Sequence, residues 1–372
     1  MSSKIRVGVV FGGRSSEHEV SLRSGKSVME AIDRNRFEVL PIGINKQGGW
    51  IFGEAALPTL IQAANAHLLP EDVLAVAKDW KGNVTPTALP TDADLACVEV
   101  FFPVLHGTYG EDGAIQGLLE MADKPYVGSG VLGASVGMDK VVFKDVMKSN
   151  GIPAADYVHF SRLKWKNDPD YWVQTCETQL GYPVFTKPPN MGSSVGVSKC
   201  RNRAELIAGI QEALRFDRKV LVEEGVPNAR EIEVGILGNE DPKASVVGEI
   251  VPSREFYDYA SKYLDDDENA SKLLIPSPLP DDVTAHVQAW GKRVFLAVEA
   301  AGLARVDFLL NKETNAIYVN EINTLPGFTS ISMYPKLWEA AGVPYTALIS
   351  ELIDLAFSRH TEKAALETGY DL

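Results

Sequence analysis

Apolar and polar positions alternate along this chain in blocks that read as strands and helices by turns. Residues 5–11 form an apolar run ending at Gly12-Gly13, followed by a helical period over 21–33. Residues 37–44 and 98–104 repeat the apolar-run pattern, with helical spacing over 116–122. Buried apolar runs alternating with helices predict a mainly parallel α/β unit. The Pro- and Ala-rich stretch 53–95 predicts a helical insertion with loops.

From residue 138 the pattern changes. A helix over 140–150 stops at Gly151 with Pro153 beyond it. Short strands at 182–187 and 195–199 flank a turn rich in Gly and Ser, and a helix covers 203–214. Strands follow at 231–237, 245–251, 304–310 and 316–322, with helices over 280–301 and 345–357 expected to pack on them. Between them, 253–276 is long, polar and without period, which predicts either a lid or a disordered segment. From about residue 361 the sequence reads as a solvated tail. The expected division is 1–137, 138–223 and 224–372.

The densest chemistry lies in Ala304-Arg305-Val306-Asp307-Phe308-Leu309-Leu310 and Ile317-Tyr318-Val319-Asn320-Glu321-Ile322-Asn323, joined by turn residues. With Leu310 opposite Ala316, strand alternation sends 305, 307, 319, 321 and 323 to one face. Asp307, Glu321 and Asn323 then form an all-oxygen donor set, suited to Mg²⁺ and not to zinc. The competing reading is a solvated sheet face with a surface ion pair. The loop Thr324-Leu325-Pro326-Gly327 that follows suits ligand contact.

A second constellation places Lys187 at a strand end before Gly192-Ser193-Ser194-Val195-Gly196. Glycines admit close approach of backbone N–H groups to phosphate, and Lys187 adds charge; the same loop fits an ordinary hairpin turn equally well. Lys140, after Gly137-Met138-Asp139, is a further phosphate partner by charge. Gly25-Lys26-Ser27 imitates the end of a P-loop, but Val20 stands where its first glycine is needed. The opening Gly12-Gly13-Arg14-Ser15-Ser16-Glu17-His18-Glu19 lies where α/β sheets bind ligands, at a strand's carboxyl end. Glu17 and Glu19 serve there either a ligand or the helix dipole. His106 follows a strand within a glycine-rich turn, and no histidine has metal-ligand spacing with a second His or Cys.

Composition narrows the function classes. A net charge of −14 over 372 residues argues against a nucleic-acid partner. No apolar run approaches the roughly 20 residues of a membrane span, and Met1–Phe11 lacks a signal-peptide pattern. Three scattered cysteines give neither a disulfide framework nor a zinc site, which suits a reducing cytoplasm.

In order along almost the whole chain, these segments resemble the D-alanine–D-alanine ligase family. They are Gly12-Gly13 with Glu17-His18-Glu19-Val20-Ser21-Leu22, His106-Gly107 with Gly110-Glu111-Asp112-Gly113, Met138-Asp139-Lys140, and Lys187-Pro188 with Gly192–Gly196. Glu223-Glu224, Arg230-Glu231-Ile232-Glu233, Phe256-Tyr257-Asp258-Tyr259, Lys262-Tyr263, Arg305–Phe308 and Asn320–Gly327 complete the series. The resemblance implies a three-domain ATP-grasp architecture: an N-terminal Rossmann-like parallel-sheet domain of α/β class, then two α+β subdomains gripping ATP. It implies ligation of two D-alanines through a D-alanyl phosphate, supplying peptidoglycan precursors for the cell wall.

The resemblance also distributes roles. Lys140, Lys187, Ser193, Ser194 and Lys262 would hold phosphates, with Phe185, Leu309 and Asn320 lining the ATP site. Glu223, Glu224 and Val226 would face adenine, and Glu231 the ribose; members with lysine at position 224 differ here. Asp307, Glu321 and Asn323 match the family's ligands for two Mg²⁺ ions, for which Mn²⁺ can substitute. Glu17 would hold the first D-alanine's ammonium, linked to Ser193 and Tyr263, with His106 and Tyr257 nearby. Arg305 and Gly327 N–H would stabilise oxyanion charge, and Ser332 would meet the second carboxylate. D-alanine and ATP are the implied partners, and the resemblance admits a homodimer. Tyr263 implies D-Ala–D-Ala over D-Ala–D-lactate. Other carboxylate–amine ligases of this fold remain alternatives, as do a non-catalytic nucleotide-binding regulator and, from 5–13 alone, a dinucleotide-binding oxidoreductase.

Overall fold

The computed structural model describes residues 4–82, 84–252, 271–367 and 369. The lid expected at 253–276 lies outside them up to residue 270, and with it Tyr257, Lys262 and Tyr263. Thirteen strands among the described residues make three sheets.

The first sheet has the order β3-β2-β1-β4, from β1 (Ile5–Gly12), β2 (Phe37–Ile44), β3 (Trp50–Phe52) and β4 (Val100–Pro103). β1 runs parallel to both β2 and β4, and β3 is antiparallel at the edge. Val7, Val9 and Phe11 face one apolar core and Val10, Ile42 and Phe101 another, so both faces are covered, as is usual for parallel strands. The insertion forms short helices such as Ala56–Ala63, and Leu57, Leu60, Ile61, Leu69 and Val73 bury themselves in the first core.

The second sheet, β5-β8-β6-β7, comprises β5 (Tyr157–Ser161), β6 (Val184–Lys187), β7 (Ser198–Cys200) and β8 (Lys219–Glu224). Helices Pro169–Gln179 and Arg203–Phe216 cover one face, where Val158, Phe160, Val184, Val220 and Val222 are packed. β7 begins later than expected. Ser193, Ser194 and Gly196 take positive φ values of 50°, 58° and 71°, and turns bonding Val195 N to Gly192 O and Val197 N to Ser194 O occupy the loop instead.

The third sheet, β11-β10-β9-β12-β13, is antiparallel throughout: β9 (Ala229–Gly238), β10 (Lys243–Val251), β11 (Lys272–Leu274), β12 (Gly302–Asn311) and β13 (Ile317–Asn323). Helices Lys140–Ser149 and Asp281–Ala297 cover its apolar face through Phe143, Met147, Val287 and Val294. The helix Tyr345–Ala364 packs on β9 and β12 as expected, and on the first sheet as well. Its buried Leu348, Ile349, Leu352 and Ile353 join Val7, Val9 and Phe11 in the first core, and Leu237 and Leu303 reach into the same core from the ends of β9 and β12. It also continues past residue 361, where a tail was expected. Among the described residues no single helix is long and apolar enough to cross a membrane.

Candidate active site

The faces left free of these helices carry the polar chemistry. On the second sheet, Phe185 lies opposite Glu223 and Lys187 opposite Leu221, so strand alternation sends all four away from the covered core. On the third sheet the hairpin register differs from the expected one. Leu310 pairs with Ile317, Leu309 with Tyr318 and Phe308 with Val319. A bulge then places Asp307 opposite Glu321 and Arg305 opposite Asn323. Val319 is therefore core, packed with Phe308, while Arg305, Asp307, Glu321 and Asn323 still share one face. Glu231 lies opposite Leu309, and Glu233 opposite Asp307 on the other side, so Glu233, Asp307 and Glu321 stand abreast on β9, β12 and β13.

Cationic side chains balance these carboxylates. Arg305 donates from Nε and Nη2 to the two oxygens of Asp307 at 2.7 and 2.6 Å and lies 3.1 Å from Glu233. Lys140 Nζ is 3.1 Å from Glu321 and donates to the Met191 carbonyl at 3.0 Å. Burial opposes the Lys140 charge, but Glu321, Glu111 and Glu223 outweigh it and hold its pKa above the usual lysine range. Asn323 Oδ1 accepts from Leu325 N at 3.2 Å. Among the described residues no three His, Cys, Asp or Glu side chains are gathered as a metal cage. The donors Asp307, Glu321 and Asn323 nonetheless suit a hard cation: all are oxygen acceptors on one face, at a place already held by positive charge.

Lys187 Nζ bridges the two sheets, 2.5 Å from Glu223 Oε2 and 3.3 Å from Asn320 Oδ1. Glu223 is almost wholly buried and also pairs with Lys144, from the helix that begins at Lys140. Burial pushes the Glu223 carboxyl up, and the two ammoniums outweigh it and hold it below the usual range. Glu224 Oε1 accepts from Asp156 N at 3.2 Å, and Val226 follows in the turn to β9.

The N-terminal sheet supplies a third wall. Gly12, at the end of β1, has φ +92°, and a Cβ there would stand 2.2 Å from the Ile44 carbonyl oxygen. Glu17 precedes the helix His18–Ala31 but makes no capping hydrogen bond; instead one carboxylate oxygen accepts from Ser193 Oγ. A Cβ on Gly107 or Gly192 would lie 2.7 Å from its other oxygen, so two glycines keep that oxygen's surroundings clear. Glu19, by contrast, is structural, accepting from Lys46 at 2.6 Å and Asn65 N at 3.0 Å and so anchoring the insertion. Lys26 of the P-loop imitation sits mid-helix, paired with Glu30 and Asp72.

His106 is a brace. Nδ1 donates to the Leu325 carbonyl at 3.0 Å, which leaves Nε2 to accept from Ser24 Oγ at 2.9 Å. Burial pushes its pKa down, against Glu17 and the Leu325 carbonyl, so the neutral ring ties the N-terminal wall to 324–327. At Gly327 a Cβ would lie 3.2 Å from Ser332 Oγ. Ser332 precedes the helix Met333–Ala340, hydrogen-bonded to Thr329 Oγ1 at 2.8 Å.

The sequence reading gave no role to Lys144, Glu233 or Glu111. Parity with Glu231 marks Glu233, and a spacing of four from Lys140 marks Lys144. Glu111 is buried, accepts from Gly107 N at 2.9 Å and leaves Oε1 without a hydrogen-bond partner. Burial first, then Glu17, hold its carboxyl well above the ordinary value of 4.5. The folded chain thus keeps a proton that the unfolded chain loses. The resulting stability is full below the unfolded value and is lost as pH rises through the folded one. Glu111→Gln removes that loss, so its gain in melting temperature over the parent should be about 2–4 °C larger at pH 8 than at pH 5. Thermal unfolding at the two pH values checks this; an equal gain at both would rule out the titration.

Family models, sequence relatives and solved structures all match this chain. Residues 6–129 match the family model for the D-ala D-ala ligase N-terminus, and residues 146–354 that for the D-ala D-ala ligase C-terminus. The D-alanine–D-alanine ligase of Natranaerobius thermophilus is 47% identical over 99% of both chains. That of Heliobacterium modesticaldum is 48% identical over 97% of this chain and 96% of its own. Among solved structures, the D-alanine–D-alanine ligase from Coxiella burnetii superposes with TM-score 0.75, at 31% identity over 97% of each chain. The VanG D-Ala:D-Ser ligase from Enterococcus faecalis gives TM-score 0.80 at 31% identity, over 95% of this chain and 100% of its own. With both family models matched in order and relatives aligned nearly end to end, the chain belongs to the D-alanine–D-alanine ligase family.

Proposed function

We propose that this chain joins two D-alanines to D-alanyl-D-alanine with conversion of ATP to ADP and phosphate. The observation that carries the reading is the hydrogen bond from Ser193 to Glu17. It sets the Gly/Ser loop, the proposed phosphate holder, against the proposed ammonium holder, and phosphoryl transfer needs donor and acceptor adjacent.

The nucleotide lies between the free faces of the second and third sheets. Phe185, Leu309, Glu224 and Val226 flank its base, and Glu231 its ribose. Lys140, Lys187, Ser193, Ser194 and Asn320 attend its phosphates, and Glu223, beside the base, pairs with Lys187 when no nucleotide is bound; Lys262 is assigned from sequence. Asp307, Glu321 and Asn323 would hold the Mg²⁺ ions, whose charge would offset that of the transferring phosphoryl group. Glu17 orients the first D-alanine by its ammonium, with Tyr257 and Tyr263 assigned nearby from sequence. His106 acts at one remove, holding the loop that carries Gly327.

A carboxylate resists amine attack, so the γ-phosphoryl group first passes to the first D-alanine. The second D-alanine's amine then displaces phosphate through a tetrahedral species. Its oxyanion charge falls to Arg305 and the Gly327 N–H, and Ser332, before a helix N-terminus, receives the second carboxylate. The product serves peptidoglycan precursor synthesis. The proposed division is 1–137, 138–223 and 224–372; each unit carries one sheet, while the helix Lys140–Ser149 of the middle unit packs on the third sheet. Free Cys97, Cys176 and Cys200 support a cytoplasmic site. A homodimer is the proposed assembly.

The test is ADP release with D-alanine alone and with D-serine or D-lactate beside it, followed by product analysis. D-alanyl-D-alanine should dominate near neutral pH. ATP turnover that does not depend on D-alanine would overturn the reading; a dominant D-Ala–D-Ser or D-Ala–D-lactate product would overturn only the second-substrate choice.

A further inference from the structure

The helix Lys140–Ser149 turns a second lysine toward the nucleotide face, four residues after Lys140. Lys144 is 1% exposed, a rare place for a lysine. Its ammonium pairs with Glu223 Oε1, reaches the Ala155 carbonyl at 3.4 Å and lies 5.7 Å from the centre of the Tyr157 ring. Glu223 Oε2 pairs with Lys187. One buried carboxylate thus carries an ammonium on each oxygen. The two lysines differ in their freedom. Lys144 is enclosed, whereas the Lys187 side chain is 14% exposed and already reaches across to Asn320.

We propose that Lys144 is a positioning residue that keeps Glu223 neutralised, so that Lys187 can leave it for a nucleotide phosphate. This rests on the ATP-dependent reading above. Two ammoniums and one carboxylate leave one positive charge to spend on phosphate; Lys187 and Glu223 alone leave none. Without Lys144, the departure of Lys187 would strand a buried carboxylate, so Glu223 would retain Lys187 against the nucleotide. Glu224, the neighbouring carboxylate, is engaged with Asp156 N and does not compete for Lys187.

The experiment compares the full-length parent with Lys144→Met, Glu223→Gln and the double variant. It reads binding of a non-hydrolysable ATP analogue with Mg²⁺ by calorimetry, and KM for ATP and for D-alanine. Lys144→Met should weaken analogue binding by about tenfold and raise KM for ATP in step, with KM for D-alanine within about twofold. In the double variant the loss should vanish relative to Glu223→Gln alone, because a neutral residue cannot retain Lys187. Unchanged binding in Lys144→Met overturns the proposal. So does a tenfold loss that persists when Glu223 is already Gln, since Lys144 would then act on the nucleotide or on the fold. Should Lys144→Met unfold, Glu223→Gln and the double variant, which lacks both buried charges, decide the matter: equal affinity supports the proposal and a tenfold gap overturns it. A parent that binds the analogue but releases no ADP with D-alanine fails the ligase reading separately, and the binding comparison stands apart from it.

Discussion

Glu321→Gln is expected to lower kcat by on the order of a thousandfold while the chain stays folded, because a bound divalent ion contributes several kcal/mol to a phosphoryl-transfer transition state. Gln keeps the volume and one acceptor oxygen of Glu321 and removes its charge. The side chain is half-buried on β13, opposite Asp307, and Lys140 is one of its protein partners. Losing that pair leaves Lys140 on the Met191 carbonyl, and Gln keeps an oxygen that can still accept a hydrogen bond. The catalytic cost is large, because Asp307 and Asn323 would face the metal with one negative charge between them. ADP release at saturating Mg²⁺, beside a thermal unfolding curve, checks both halves. Near-parent turnover would remove Glu321 from the metal site.

The same hairpin shows how far the sequence could be read. Alternation was the right principle, but the register was wrong: the ladder closes with Leu310 on Ile317. Continued without a break, that pairing would have turned Glu321 and Asn323 into the core, since a one-residue slip reverses every side chain. The bulge between Val319 and Glu321 returns them to the face of Asp307, and only Val319 changes sides. A bulge is decided by the pairing of two strands, so the period of either one does not announce it. The helix Tyr345–Ala364 is a like case. Its spacing of leucines marks 345–357, and the helix runs on to Ala364; an apolar stripe does not show that it packs on two sheets at once, the first as well as β9 and β12 of the third. Lys144 was overlooked because lysines normally face water; burial in an ion pair on both sides of Glu223 is a tertiary event.

Where the resemblance and the packing meet most closely is at Glu17, and Glu17→Gln should reduce kcat/KM for D-alanine by about a hundredfold, the scale of a charge-assisted hydrogen bond in a buried setting. A carboxylate at a helix start ordinarily caps the helix or answers its dipole. Glu17 does not cap; it is 8% exposed, and no lysine or arginine among the described residues pairs with it. One oxygen accepts from Ser193, while Gly107 and Gly192 hold back any Cβ from the other. Gly107, at φ +73°, could not carry a side chain there without strain in any case. A buried anion with one side kept open is a site for a small cation, and an amino acid's ammonium meets that description. Gln preserves the Ser193 hydrogen bond and the packing, so KM for ATP should move by less than about threefold while the D-alanine term collapses. Kinetics with each substrate varied in turn separate the two. A variant that loses ATP and D-alanine affinity equally would show Glu17 to be a brace for the Ser193 loop, as His106 is for the loop before Gly327, and would leave the ammonium holder to be sought elsewhere.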